Sequence, residues 1–374
     1  MAHAYTPGLR VSERTVVRKE RRLPIKGEVV VAIGDTVTSE TVVARTHLPG
    51  NVQLINVASK LGLPPEDLPT VMQKKDGDPI EKGEALAETQ GFFGLFKSRV
   101  PSPCEGTVES ISTVTGQVIL REPPTPIEID AYVEGKVVEI FPEEGVAVET
   151  VGTFIQGIFG VGGEKTGEIA VVVNGPGDPL DASLITEAHK GKIVIGGSHV
   201  KWDGLQKAMD VRASGIVVGG FDDPDLKRLL GKDLGVAITG HEDLATALIL
   251  TEGFGEIAMA HGTFDLLKSR EGRKASVNGA TQIRAGVIRP EIVVPLEGDA
   301  EDVVEGASAT TGLEIGSLIR VIREPYFGAL GRVVDLPNEL QKMESESMVR
   351  VLKVEFEDKE QALLPRANVE MIEG

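Results

Sequence analysis

Cysteine is nearly missing. Cys104 is the only one in 374 residues, which excludes an intramolecular disulfide, a Cys-rich zinc site and a cysteine-ligated iron–sulfur cluster. A reducing, cytoplasmic setting is the expectation that follows. Aromatic residues are scarce at 4% against 44 glycines, so cores of small and β-branched side chains joined by tight turns are expected. No run approaches the ~18 consecutive apolar residues of a membrane-spanning helix, and the first residues are polar and charged where a signal peptide carries an apolar block. Neither membrane insertion nor export is expected. Positive charge is also short: 39 Lys and Arg against 57 Asp and Glu leave a net charge of −18, which disfavours a surface built to hold phosphate backbones. Length is ample for roughly two to four domains.

Basic residues concentrate at the start. Within residues 1–26, Arg10, Arg14, Arg18, Lys19, Arg21, Arg22 and Lys26 face only Glu13 and Glu20. Residues 1–23 therefore read as a basic N-terminal arm, either solvated or binding. From about residue 24 to 165 a short grammar recurs: Gly, any residue, Val, extended positions, then a turn Gly. Its copies begin at Gly27, Gly106 and Gly135, and alternating runs such as 107–111 and 137–141 read as strands. A compact all-β unit is the expectation.

Two segments of that unit, Lys75-Asp-Gly-Asp-Pro-Ile-Glu-Lys-Gly-Glu-Ala-Leu-Ala87 and Pro101-Ser-Pro-Cys-Glu-Gly-Thr-Val108, resemble the hammerhead strands of the barrel-sandwich hybrid fold. That fold occurs in biotinyl and lipoyl carrier domains, in the Rnf-complex C subunit and in the RNA polymerase β′ subunit. The resemblance implies fold more than function. A carrier domain displays its Lys between these motifs, within Met-Lys-Met or Asp-Lys-Ala, whereas the only lysine here, Lys97, has neither set of neighbours. Covalent biotin or lipoate is therefore not expected, and no cofactor is. The run 91–96 is read instead as an apolar hairpin tip whose Phe92, Phe93 and Phe96 pack on a partner.

Residues 166–298 change rhythm. Strands are expected at 168–173, 192–195, 215–218, 235–239 and 256–260, separated by helices at 181–189, 203–212, 224–230, 242–250 and 263–269. Alternation of this kind implies a parallel α/β sheet of about five strands. Ligands in such sheets sit beyond the carboxyl ends of the strands. Each expected end carries a turn glycine beside a polar group, giving Asn174, Gly175, Gly177, Gly197, Ser198, His199, Gly220, Asp222, Gly240, His241 and His261 as ligand-binding candidates. Glycines let backbone N–H groups approach an anion, and the histidines supply acid, base or ligand chemistry. Turn and cap chemistry explains the same Gly and Asp residues without any ligand, so both readings stand. The stretch 157–167 lacks the Gly-Lys-Ser/Thr of a phosphate loop and reads as a flexible joint. No catalytic residue and no metal site is assigned.

The chain returns to β periodicity in residues 299–374. Gly316-Ser-Leu-Ile-Arg-Val-Ile-Arg-Glu-Pro-Tyr-Phe-Gly328-Ala-Leu-Gly331 resembles a KOW motif, the strand-loop-strand core of SH3-like barrels in the transcription factor NusG and some ribosomal proteins. The resemblance implies that Arg323, Tyr326 and Phe327 lie on a contact loop. Residues 301–374 hold 8 basic and 15 acidic groups, so an RNA partner is disfavoured and a protein partner or a second copy is expected.

The fold expectation is thus a β domain of barrel-sandwich hybrid type, a central parallel α/β domain and an SH3-like barrel. A non-catalytic adaptor or scaffold is the leading reading. An enzyme or small-ligand sensor at the α/β strand ends, and an RNA- or ribosome-associated factor, remain the alternatives.

Overall fold

Alternating β-branched residues make most of this chain extended, and the computed structural model is mostly β, with several sheets and a few short helices. It describes residues 9–89, 98–230, 244–281, 288–298, 300, 303, 315–321, 326, 329–337, 340–342, 348–356 and 359–373. Phe92, Phe93, Phe96, Gly240, His241, Arg323 and Phe327 lie outside these described residues.

The basic segment is a strand, not an arm. Leu9–Arg22 runs antiparallel to Gly145–Gln156, with Val16 opposite Val151, and its first residues run parallel to Val369–Glu373. Its cations meet carboxylates brought from far along the chain. Arg18 pairs with Glu139, Lys19 with Glu291 at 2.5 Å, Arg21 with Glu164 at 2.7 Å and Arg22 with Glu144 at 2.7 Å. Local charge counting cannot anticipate partners more than a hundred residues away.

Two β units are nested. The outer one packs Val37, Val43, Tyr132, Val137, Val146 and Val148 around one core, while the inner one packs Leu68, Ile80, Leu86, Val108, Val118 and Leu120 around another. Both contain the same turn. Asp35 Oδ2 accepts the Ala32 N–H at 2.8 Å ahead of strand Thr36–Val37, and Asp78 Oδ2 accepts the Lys75 N–H at 2.7 Å ahead of Pro79–Ile80. In the outer unit Val42–Leu48 pairs antiparallel with Thr125–Asp130, Leu48 opposite Thr125. The whole inner unit is inserted at the end of that hairpin. Every hydrogen bond and ion pair described for residues 51–122 stays within residues 50–122. The two connecting chains touch at Gly50, where a Cβ would lie 1.8 Å from the Glu122 carbonyl oxygen.

Strand Glu164–Val171 joins this β body to the α/β region. Its first half runs antiparallel to Lys274–Asn278 and its second half parallel to Ile193–Ile195, so the expected boundary after residue 165 falls inside one strand. The parallel sheet continues through Gly215–Phe221 to Ala247–Phe254, and Phe159–Val161 closes its edge antiparallel. Helices Trp202–Asp210 and Asp223–Leu230 cover one face over Val194, Ile216, Val218, Leu248 and Leu250. Helix His261–Lys268, with strands Lys274–Asn278 and Glu291–Pro295, covers the other.

Four expectations fail here. The joint at 157–167 is not a linker, because Phe159–Val161 and the start of Glu164–Val171 are paired strands. The helix expected at 242–250 gives way to strand Ala247–Phe254, and the strand expected at 256–260 is a loop. Two short 3-10 turns, Ala182–Leu184 and Glu187–His189, stand where one helix was expected at 181–189. The strand expected at 235–239 lies outside the described residues.

The C-terminal unit orders its strands Val369–Glu373, Leu318–Val321, Leu330–Asp335, Met348–Phe356, Gln361–Pro365. Ile319, Val321, Val333, Leu352, Val354 and Leu364 form its core.

Candidate functional site

The carboxyl ends of the parallel strands are the place to examine, and the chain itself fills them. After the strand Glu164–Val171, the loop 174–178 closes on its own carboxylate: Asp178 Oδ2 accepts the N–H of Asn174 at 3.1 Å and of Gly175 at 2.9 Å. Those donors are therefore engaged within the loop. The loop lies directly over the next strand end. A Cβ on Gly197 would stand 2.4 Å from the Asp178 carbonyl oxygen and 2.5 Å from that of Gly175, and the Ser198 N–H donates to Asp178 O at 2.9 Å. Gly177, by contrast, faces open space.

A second segment, residues 255–260, straps the end of Gly215–Phe221. Here a Cβ on Gly219 would lie 2.1 Å from Ile257 O, and one on Gly220 2.0 Å from Gly255 O. The Gly255 N–H donates to Phe221 O at 3.0 Å and the Met259 N–H to Pro176 O at 3.1 Å, so the strap and the first loop are tied to each other. Close backbone approach by the chain's own loops is what these glycines permit.

His199 is the one candidate histidine described in this crevice. Its Nδ1 is 3.1 Å from the Ser198 hydroxyl and its Nε2 is 3.4 Å from Glu256 Oε1, with 11% of the side chain exposed. Hydroxyl, imidazole and carboxylate are the residue types of a hydrolytic relay. Ser198 is itself buried, and its N–H is bound to the 174–178 loop at Asp178 O. The His199 ring thus lies beside the strap's Glu256, with Nε2 making no hydrogen bond among the described residues. His261 is exposed at the start of its helix, and the Asp222 carbonyl accepts the Leu226 N–H at 3.0 Å at the entry to helix Asp223–Leu230. Among the described residues no three His, Cys, Asp or Glu side chains form a metal-holding group.

A buried ion pair that the sequence reading missed lies beside this crevice. Glu252, on strand Ala247–Phe254, meets Arg320 of strand Leu318–Val321, with 6% and 4% of their side chains exposed. The signal was a single Glu in Leu-Ile-Leu-Thr-Glu252 and a single Arg in Leu-Ile-Arg320-Val-Ile, opposite charges alone in apolar strands. Tyr326, expected on a contact loop, lies between strands Leu318–Val321 and Leu330–Asp335, stacks on Phe356 at 5.0 Å and places its hydroxyl 3.5 Å from Glu360.

Two of the grooves on the described surface carry titratable side chains. One of about 640 Å³ is lined by Arg21, Asp130 and Glu164 among others, where Arg21 already satisfies both neighbours and burial pushes the Asp130 carboxyl above its usual value. The other, about 510 Å³, lies between Cys104 and the Pro123–Pro126 connection. Burial raises the Cys104 thiol, which keeps it protonated and a poor nucleophile at neutral pH.

Compared with known proteins, the chain matches no family model and no curated sequence. No described helix is long and apolar enough to cross a membrane.

Proposed function

We propose that this chain is a non-catalytic adaptor whose inner β unit presents a protein-binding edge. The observation that carries the reading is the outer strand of that unit. Among the described residues Val52–Asn56 pairs on one side only, with Gln117–Arg121, and it turns Val52 and Leu54 outward at 44% and 61% exposure. Ile119 stands opposite Leu54 in the register. From Asn51 to Asn56 there is no charge, although 26% of the chain is charged. Edge strands that must stay unpaired are usually guarded by Lys or Pro, so an uncharged apolar edge fits one that pairs with a protein.

The repeated Asp turns at Asp35 and Asp78 support the barrel-sandwich hybrid reading of both nested units, and the order of the C-terminal strands supports an SH3-like reading of the last one. Strand ends filled by backbone weigh against the sensor or enzyme alternative, and the burial of Arg320 weighs against RNA contact on that face. The adaptor reading calls for no cofactor.

Leu54→Lys is the test, with Val114→Lys as control because Val114 is 84% exposed on a turn. Proteins co-purifying with the intact chain should be lost with Leu54→Lys and kept with Val114→Lys. An unchanged set with both variants sinks the reading.

A further inference from the structure

Glu252 holds two parts of the molecule with one carboxylate. Its Oε1 accepts the Ala260 N–H at 2.9 Å, and its Oε2 takes the Arg320 guanidinium. Ala260 is the last residue of the 255–260 strap over Gly219 and Gly220, while Arg320 belongs to the C-terminal β unit. Arg320 Nη1 also reaches Thr251 O at 3.4 Å.

We propose that the C-terminal β unit keeps the strap shut through this carboxylate, so that access to the parallel-strand ends follows the docking of that unit. The argument is electrostatic. A carboxylate this deeply buried stays in place only while a counter-charge and hydrogen bonds compensate its lost hydration. Withdrawing Arg320 leaves the charge uncompensated, and the side chain reaches water by rotating away from its site, which takes the acceptor from the Ala260 N–H. Among the described residues, the strap's remaining ties are the Gly255 and Met259 backbone bonds, the Met259 side chain buried in the core and the His199–Glu256 contact. The groups on the elements packed here are Arg320 and Glu252 in the ion pair, and His199 and Glu256 at the strap. Opening would uncover Gly219 and Gly220 and release His199 from Glu256, while the 174–178 loop still covers Gly197 and Ser198. This inference stands whether or not the adaptor reading does.

Hydrogen exchange at neutral pH on a set of full-length variants tests it. Arg320→Met should raise exchange at residues 255–260 by about tenfold or more, while Gly215–Phe221 stays protected and reports that the sheet is intact. Glu252→Gln keeps an acceptor for the Ala260 N–H without a charge, and with Arg320→Met beside it no buried charge is left unpaired, so the strap should remain within about twofold of the parent in the Glu252→Gln, Arg320→Met double variant. Reclosure in the double variant is the decisive result. A strap as protected in Arg320→Met as in the parent overturns the proposal, and so does one equally open in the double variant, which would mark a general loss of packing. If Arg320→Met alone does not fold, the Glu252→Gln, Arg320→Met double variant still decides, because it leaves neither charge unpaired and an open strap there contradicts the mechanism.

Discussion

Gly220 has space for a hydrogen and little else, since a Cβ there would meet the Gly255 carbonyl oxygen at 2.0 Å, a backbone atom of the strap with no side-chain freedom to yield. Gly177, two loops away, meets nothing within 4 Å. Both were read from sequence as glycines that admit a ligand, and the coordinates separate them by what stands opposite. Gly220→Ala should therefore destabilise the protein by about 1–3 kcal/mol through forced backbone displacement. Gly177→Ala should stay within about 0.5 kcal/mol. Urea midpoints of the two variants, at unchanged denaturant slope, make the comparison. Equal midpoints would mean that the strap yields freely, and its closure over the strand end would lose its physical basis.

At the scale of elements, the first strand shows why composition misled. Leu9–Arg22 carries basic residues densely enough to look like a solvated arm, yet three of the four distant carboxylates that neutralise it lie beyond residue 140. Its partners are not equivalent. Arg21, 15% exposed, donates through both Nη atoms to Glu164 and through Nε to the Asp130 carbonyl, while Arg18 and Glu139 are each nearly half exposed. Arg21→Met should cost about 1–2 kcal/mol, discounted for the partial exposure of Glu164, and Arg18→Met under about 1 kcal/mol. Chemical denaturation of the two variants checks the order, and a reversed order would show that the strand docks by backbone pairing alone. The helices Trp202–Asp210, Asp223–Leu230 and His261–Lys268 were legible because apolar residues recur at helical spacing in Leu205 and Ala208, in Leu226 and Leu230, and in Phe264 and Leu267. Strand Ala247–Phe254 was not. A continuous run of Ala247, Leu248, Ile249 and Leu250 buries both faces and carries no period that separates strand from helix. The candidate site was legible as a set of strand-end glycines, but whether their open side faces ligand or chain depends on loops whose paths only the fold decides.

The molecule as a whole is a continuous body carrying one detachable unit. Leu9–Arg22, Gly145–Gln156, Glu164–Val171 and Glu291–Pro295 bind the outer β unit, the α/β region and the C-terminal strands into shared sheets. Residues 51–122 share none of those strands. Their two connections leave the outer hairpin side by side, where the Glu122 N–H donates to Asn51 O at 2.9 Å and Leu48 stands opposite Thr125. Chain ends already in register can be joined by a two-residue turn at little entropic cost. Replacing residues 49–124 by Asn-Gly should therefore leave the body folded, with a single cooperative thermal transition that differs from that of the intact chain only by the unit removed. The excised unit brings its own core of Leu68, Ile80, Leu86, Val108, Val118 and Leu120 and should fold alone when residues 50–122 are expressed. Circular dichroism melts of both pieces and of the parent make the test. A body without a cooperative transition would show that the inner unit supports the outer hairpin, and the picture of a binding module borne on an independent frame would have to be abandoned.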